Sequence, residues 1–144
     1  MPTVIRTASA RRSEMRAEAD ALGVDEAFID QLVEAFYEKV RADAALGPVF
    51  AHAIGEDWAP HLATMKCFWS SIALGTGVYS GRPLPAHHKH VDRMAPEHFD
   101  RWLSLFRQTL EEMSESPAAV AFFMERAERI GERFRTLLWQ NPYA

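Results

Sequence analysis

The chain has one cysteine, Cys67, in 144 residues. No internal disulfide can form, which fits a reducing compartment. Long apolar runs are also missing. The stretch Cys67 to Leu74 contains two serines, and no apolar stretch approaches the roughly 20 residues that a membrane span needs. No apolar run follows Arg11 and Arg12, so a secretory signal is not expected. Cations are outnumbered, with 16 Lys and Arg against 20 Asp and Glu and a net charge of −4. That balance recommends neither nucleic acid nor an anionic membrane as partner. None of the 13 glutamates has a histidine three residues later, which excludes the Glu-x-x-His pairs of di-iron bundles. There is no HExxH either, and no second cysteine for a structural zinc site. These absences place the chain in the cytoplasm as an ordinary soluble protein.

What is present is apolar and periodic. Hydrophobic residues make up 48% of the chain and charged residues 25%, enough for one domain over residues 1–144 with a real core. Residues 1–24 read as an N-terminal extension, a loose tail and then a short helix closed by Gly23. From Asp25, a candidate N-cap, the residues Phe28, Ile29, Leu32, Val33, Phe36, Tyr37 and Val40 recur at helical spacing. This stripe is wide enough to be contacted on two sides. Gly47-Pro48 reads as a break leading to Phe50. A second helix is predicted from about Asp57 to Leu74, with Trp58, His61, Leu62, Met65, Phe68, Trp69 and Ile72 within an arc of about 120°. Gly75 to Pro85 reads as a turn-rich loop, stopped by Gly81 and two prolines, and a short helical turn carries His87, His88 and His90. Pro96 opens a helix with Phe99, Trp102, Leu103, Phe106, Leu110 and Met113 on one face. Ser116-Pro117 opens the last, with Val120, Phe123, Met124, Ala127, Ile130, Phe134 and Leu137 inward. No strand is expected, so the chain reads as all-α.

Some polar residues fall on these apolar faces. His61 alone reads as a packed residue bonded to backbone, but Met65 and Trp69 lie one and two turns along the same face. Together the three would roof a flat apolar object, and without one the buried imidazole would need another partner. Among His87, His88 and His90, one neutral imidazole held through its other nitrogen would serve a haem iron. The same cluster could instead be a divalent-metal patch or an exposed polar turn. Tyr37 and Trp102 are core aromatics or donors toward a bound ligand. Phe50 offers a ring to a macrocycle or an ordinary core contact. Cys67 lies off the His61 stripe, which favours a packing role. A non-haem helical interaction domain, whose aromatic interior is only core, is the other reading of the same pattern.

Longer stretches add a resemblance. Phe36-Tyr37-Glu38-Lys39-Val40-Arg41-Ala42-Asp43, Leu46-Gly47-Pro48-Val49-Phe50 and Asp57-Trp58-x-x-His61 come first. Phe68-Trp69-Ser70-Ser71, Leu74-Gly75-Thr76-Gly77-x-Tyr79-x-Gly81-Arg82-Pro83 and Pro96-Glu97-His98-Phe99-Asp100-Arg101-Trp102 follow in order. Over roughly residues 24–140 this resembles the group III truncated haemoglobins. The resemblance implies a two-over-two helical sandwich around one haem b that binds dioxygen, nitric oxide and carbon monoxide. It assigns Tyr37, His61 and Trp102 to the ligand side and Phe50 and Trp69 to aromatics that pack on the haem, while Met65 stands where the family usually has an aliphatic ligand-pocket residue. His61, Met65 and Phe99 are also expected to touch the cofactor. Counting forward from Gly81-Arg82-Pro83 makes His87 the iron ligand, whereas counting back from Pro96-Glu97 makes it His88; the upstream count is preferred because the Pro-rich loop sets where the turn begins. Turnover of nitric oxide or peroxide, as a dioxygenase or peroxidase-like activity, would need electrons from a separate reductase.

Overall fold

In the computed structural model, residues 7–79 and 81–139 are described. They form seven α-helices: α1 (Ala8–Ala21), α2 (Glu26–Ala42), α3 (Leu46–Ile54), α4 (Ala59–Leu74), α5 (Pro83–His88), α6 (Pro96–Met113) and α7 (Pro117–Trp139). A 3-10 turn, Val91–Arg93, separates α5 from α6. Two antiparallel pairs, α2 with α4 and α6 with α7, build the two-over-two sandwich, and α2 also packs on α6 and α3. The wide apolar stripe of α2 is thus used on several sides. No helix among the described residues is long and apolar enough to cross a membrane.

The expected caps are formed. The Asp25 carboxylate accepts the Phe28 N–H (2.8 Å) at the start of α2, and the Ser116 hydroxyl accepts the Ala119 N–H (3.2 Å) at the start of α7. Each satisfies a backbone donor that the first helical turn leaves open. The N-terminal helix is longer than a closing turn: Thr7 caps it by accepting the Ala10 N–H (3.0 Å), and its fourteen residues, Ala8–Ala21, end at the C-cap Leu22 just before Gly23. The loose tail expected before it, residues 1–6, lies outside the described residues.

Two short helices differ from the sequence reading, for one reason. Gly47-Pro48 does not merely break the chain; it lies in the first turn of α3. Likewise Pro83 and Pro85 lie in the first turn of α5 rather than in a loop. A first-turn residue donates no intrahelical hydrogen bond, so proline costs little there. Asp43 fixes the corner before α3. Its carboxylate accepts the N–H groups of Ala45 (3.1 Å) and Leu46 (2.9 Å) and pairs with Arg101 of α6 at 2.7 Å. Gly47 is needed because a Cβ there would meet the Arg41 carbonyl oxygen at 2.9 Å.

The core is an aromatic stack. Trp69 lies on Phe106 (centroids 4.9 Å, planes 18° apart), and Phe106 lies on Trp102 (5.4 Å, 4°). Phe36 meets Trp102 and Phe106 edge-on from α2. Two expected core residues are outside it. Leu137 is 42% exposed, three residues beyond Phe134, the last buried residue of α7. Cys67 is exposed and has no packing role; six residues from His61, it faces away from the α4 stripe.

Candidate functional site

A cavity of about 290 Å³ lies between α2, α3, α4, α5, α6 and α7, close to the lower end of small-molecule sites, about 300 Å³. A close-packed core would leave no such space. The first wall is α3, whose Leu46, Val49, Phe50, Ala53 and Ile54 all face inward. Their spacing is that of one apolar helical face. Tyr37 of α2 and His61, Met65 and Phe68 of α4 form the second wall, and Tyr79 closes its end. The lining continues with Pro83, Ala86 and His87 of α5, then His90 and Met94. The floor consists of His98, Phe99 and Trp102 of α6 with Ile130, Gly131 and Phe134 of α7.

The residues singled out in the sequence divide clearly. Tyr37, Phe50, His61, Met65, His87, Phe99 and Trp102 line the cavity. Trp69 does not: it is fully buried in the core stack, behind Phe106. His88 is exposed and absent from the lining. His90 lines the cavity as well, with its ring 5.8 Å from that of His52. Among the described residues no group of three or more His, Cys, Asp or Glu side chains is gathered as a metal ion would need. The histidine cluster is therefore not assembled as a divalent-metal site.

The two cavity imidazoles are held differently. His87 Nδ1 lies 2.6 Å from the carbonyl oxygen of Pro83, one turn earlier in α5. A carbonyl only accepts, so Nδ1 carries the hydrogen and neutral His87 leaves Nε2 unprotonated. Its ring packs on Phe134 (4.8 Å) and Phe99 (6.3 Å). Burial lowers the His87 pKa, opposed by the Pro83 hydrogen bond. On the other wall, His61 has its Nε2 buried with no hydrogen-bond partner. Burial, and next His87 across the cavity, push the His61 pKa down to about 4. A buried polar atom without a partner is costly in a closed core, but natural where a ligand binds.

Tyr37 is 3% exposed, and burial raises its pKa far above that of a free phenol. The Trp102 side chain opposes that rise. Indole N–H can only donate, so toward Tyr37 it acts as donor, and the phenol keeps its own proton to donate. Trp102 acts on the cavity partly through Tyr37.

The sequence reading missed His98 and the extent of α3. His98 Nδ1 accepts the Ala95 N–H (2.9 Å) at the start of α6. The signal was its place three residues after a helix boundary, a capping position more often filled by Glu or Gln. Phe134 and Ile130 were correctly expected inward, but nothing in their spacing distinguishes a cavity wall from core.

Residues 19–134 match the sequence profile of a family described as bacterial-like globin. The group 3 truncated hemoglobin of Campylobacter jejuni is 38% identical over 127 residues, spanning 81% of this chain and 93% of that protein. The crystal structure of a group III truncated hemoglobin from the same species superposes with a TM-score of 0.73 at 36% identity, covering 84% of this chain and 94% of that one. The 2/2 hemoglobin from Synechococcus sp. PCC 7002, solved in the cyanomet state with covalently attached heme, gives 0.70 at 25% identity. That match covers 86% of this chain and 98% of the other.

Proposed function

This chain belongs to the bacterial-like globin family, among the group III truncated haemoglobins, and we propose that its cavity holds haem b and takes up dioxygen and other diatomic gases. The observation that carries the reading is a pair of unlike imidazoles in one apolar cavity. His87 has Nδ1 committed to Pro83, and His61 has a buried Nε2 with no partner. A neutral imidazole fixed through one nitrogen presents the other as a metal ligand, so the residues present fit the group. When bound, haem supplies an iron at which small diatomic molecules coordinate.

The protein's own side chains would then act as follows. His87 Nε2 would hold the iron, while His88 stays at the surface. Phe50, Met65 and Phe99 give the ring an apolar lining from α3, α4 and α6. Tyr37 donates its hydroxyl proton to a ligand in the cavity, with Trp102 holding the phenol oxygen. His61 faces the same space and can donate from Nε2 when that nitrogen carries the hydrogen. Trp69 contributes from behind, by supporting Phe106 and through it Trp102.

Donors enclosed in an apolar site bind polarised ligands strongly, because few waters compete. Such a cage suits slow release of oxygen, and so favours nitric oxide or peroxide handling, or ligand sensing, over bulk oxygen transport. Turnover as a dioxygenase or peroxidase would draw electrons from a separate reductase in the cytoplasm. The test is the visible spectrum of the purified protein, oxidised, reduced and reduced under carbon monoxide. A Soret band that shifts at both steps supports the reading. A protein that stays colourless after hemin is supplied overturns it, in favour of a non-haem helical domain.

A further inference from the structure

His61 is held in the cavity by rings rather than by hydrogen bonds. Its imidazole meets Tyr37 (centroids 4.9 Å, 89°) and Trp58 (5.6 Å, 88°), and more distantly Phe50 (6.3 Å). With Nε2 unpartnered, these contacts decide where the imidazole sits. Tyr37 and Phe50 belong to the cavity wall itself. Trp58 does not line the cavity, yet it touches all three: it lies 6.0 Å from Tyr37 and stacks on Phe50 at 6.2 Å and 28°. It immediately precedes α4, three residues before His61.

The indole is held in turn from outside. The Arg41 guanidinium, in the last turn of α2, lies over the Trp58 ring with its Cζ 4.8 Å from the centroid. Elsewhere the α2–α4 seam is closed by Lys66, which pairs with Asp30 (2.9 Å) and Glu34 (2.7 Å). Antiparallel packing thus sets Lys66 against Asp30 and Glu34, His61 against Tyr37, and Trp58 against Arg41. His61 lies between two clamps, one ionic and one a cation–π contact.

We propose that Arg41 and Trp58 are positioning residues for His61: the guanidinium fixes the indole, and the indole keeps the imidazole inside the cavity. The proposal rests on the ligand-binding reading above. An exposed cation–π contact biases its bound arrangement by about two- to fivefold. Removing Arg41 leaves the Lys66 clamp in place and lets His61 leave its position more often. A ligand entering the cavity then meets less obstruction.

The test uses the holoprotein with carbon monoxide as probe. Flash photolysis of ferrous wild type, Arg41→Ala, Arg41→Lys, His61→Ala and the Arg41→Ala/His61→Ala double variant gives the association rate of each. The expected result is a two- to fivefold faster rate in Arg41→Ala, recovery toward wild type in Arg41→Lys, and no effect of Arg41→Ala once His61 is already alanine. The C–O stretching band of Arg41→Ala should shift part of its intensity to the frequency shown by His61→Ala. An unchanged rate in Arg41→Ala, or an equal change in the His61→Ala background, overturns the proposal. The nuclear Overhauser contact between Trp58 and His61 ring protons tests the arrangement without reference to haem. It should be present in wild type and Arg41→Lys and weakened in Arg41→Ala; equal strength in all three overturns the role of Arg41, whether or not the haem reading stands.

Discussion

His87 Nδ1 and the Pro83 carbonyl oxygen are 2.6 Å apart, joined across one turn of a six-residue helix. The two prolines that look like helix breakers start that helix and set the acceptor. Proline is tolerated at the first helical position because its missing N–H would have no intrahelical acceptor there, and its carbonyl still accepts from a residue four later. The same arrangement separates His87 from its neighbours, since His88 is exposed and His90 turns toward His52.

Tyr37 supplies the first prediction. Replacing it by phenylalanine keeps the ring contacts with Phe36 and His61 but removes the hydroxyl. Loss of one hydrogen bond in an enclosed site is worth about 1–3 kcal/mol, so oxygen dissociation should accelerate by roughly ten- to a hundredfold. Stopped-flow displacement of oxygen by carbon monoxide measures it. An unchanged rate removes Tyr37 from the role of donor.

Acid sensitivity gives a second. The His61 pKa of about 4 lies below that of a free imidazole, near 6.5. Between those values the unfolded chain binds the proton and the folded chain does not. The stability contributed by neutral His61 is therefore complete above about pH 6.5 and declines as pH falls toward 4, by at most about 1.4 kcal/mol per pH unit. His87 is shifted in the same direction. In the haem-free protein, His61→Gln should flatten this slope, as read from urea unfolding at pH 7 and pH 5. Equal slopes in both proteins contradict it.

Trp69 belongs to the core rather than to the cavity wall, and the difference is measurable. Trp69→Ala should cost about 3–5 kcal/mol, read from chemical unfolding, because it removes a fully buried ring from the stack on Phe106. Trp69→Phe should cost much less, since it also removes an indole N–H that has no partner. If the phenylalanine variant is as unstable as the alanine one, the indole has a partner and the assignment of Trp69 to a dry core stack fails.

The four long helices were legible from their punctuation and their faces. Asp25, Pro96 and Ser116-Pro117 mark the starts of α2, α6 and α7, Gly75 marks the end of α4, and apolar residues at helical spacing mark faces. The pairing of α2 with α4 and of α6 with α7 followed from the resemblance, not from periodicity. Periodicity also could not separate cavity from core. His61 and Trp69 share a face of α4, but they are about 12 Å apart along the axis, and α6 covers the one and not the other. Proline misled at α3 and α5, because a first-turn proline and a helix-ending proline look alike in sequence. The choice between His87 and His88 depended on where α5 begins, and so on the same ambiguity. Trp58 and Arg41 were visible as residues, but their contact joins the end of one helix to the start of another, and no local pattern encodes it.

The central claim is that His87 would hold the iron. The most direct measurement is the ferrous spectrum of His87→Gly beside His88→Gly, each with and without added imidazole. The account predicts that His87→Gly loses the spectrum of the wild type and regains it when imidazole enters the space left by the ring, while His88→Gly keeps the wild-type spectrum throughout. The opposite pattern, with His87→Gly unaltered and His88→Gly rescued by imidazole, would contradict it.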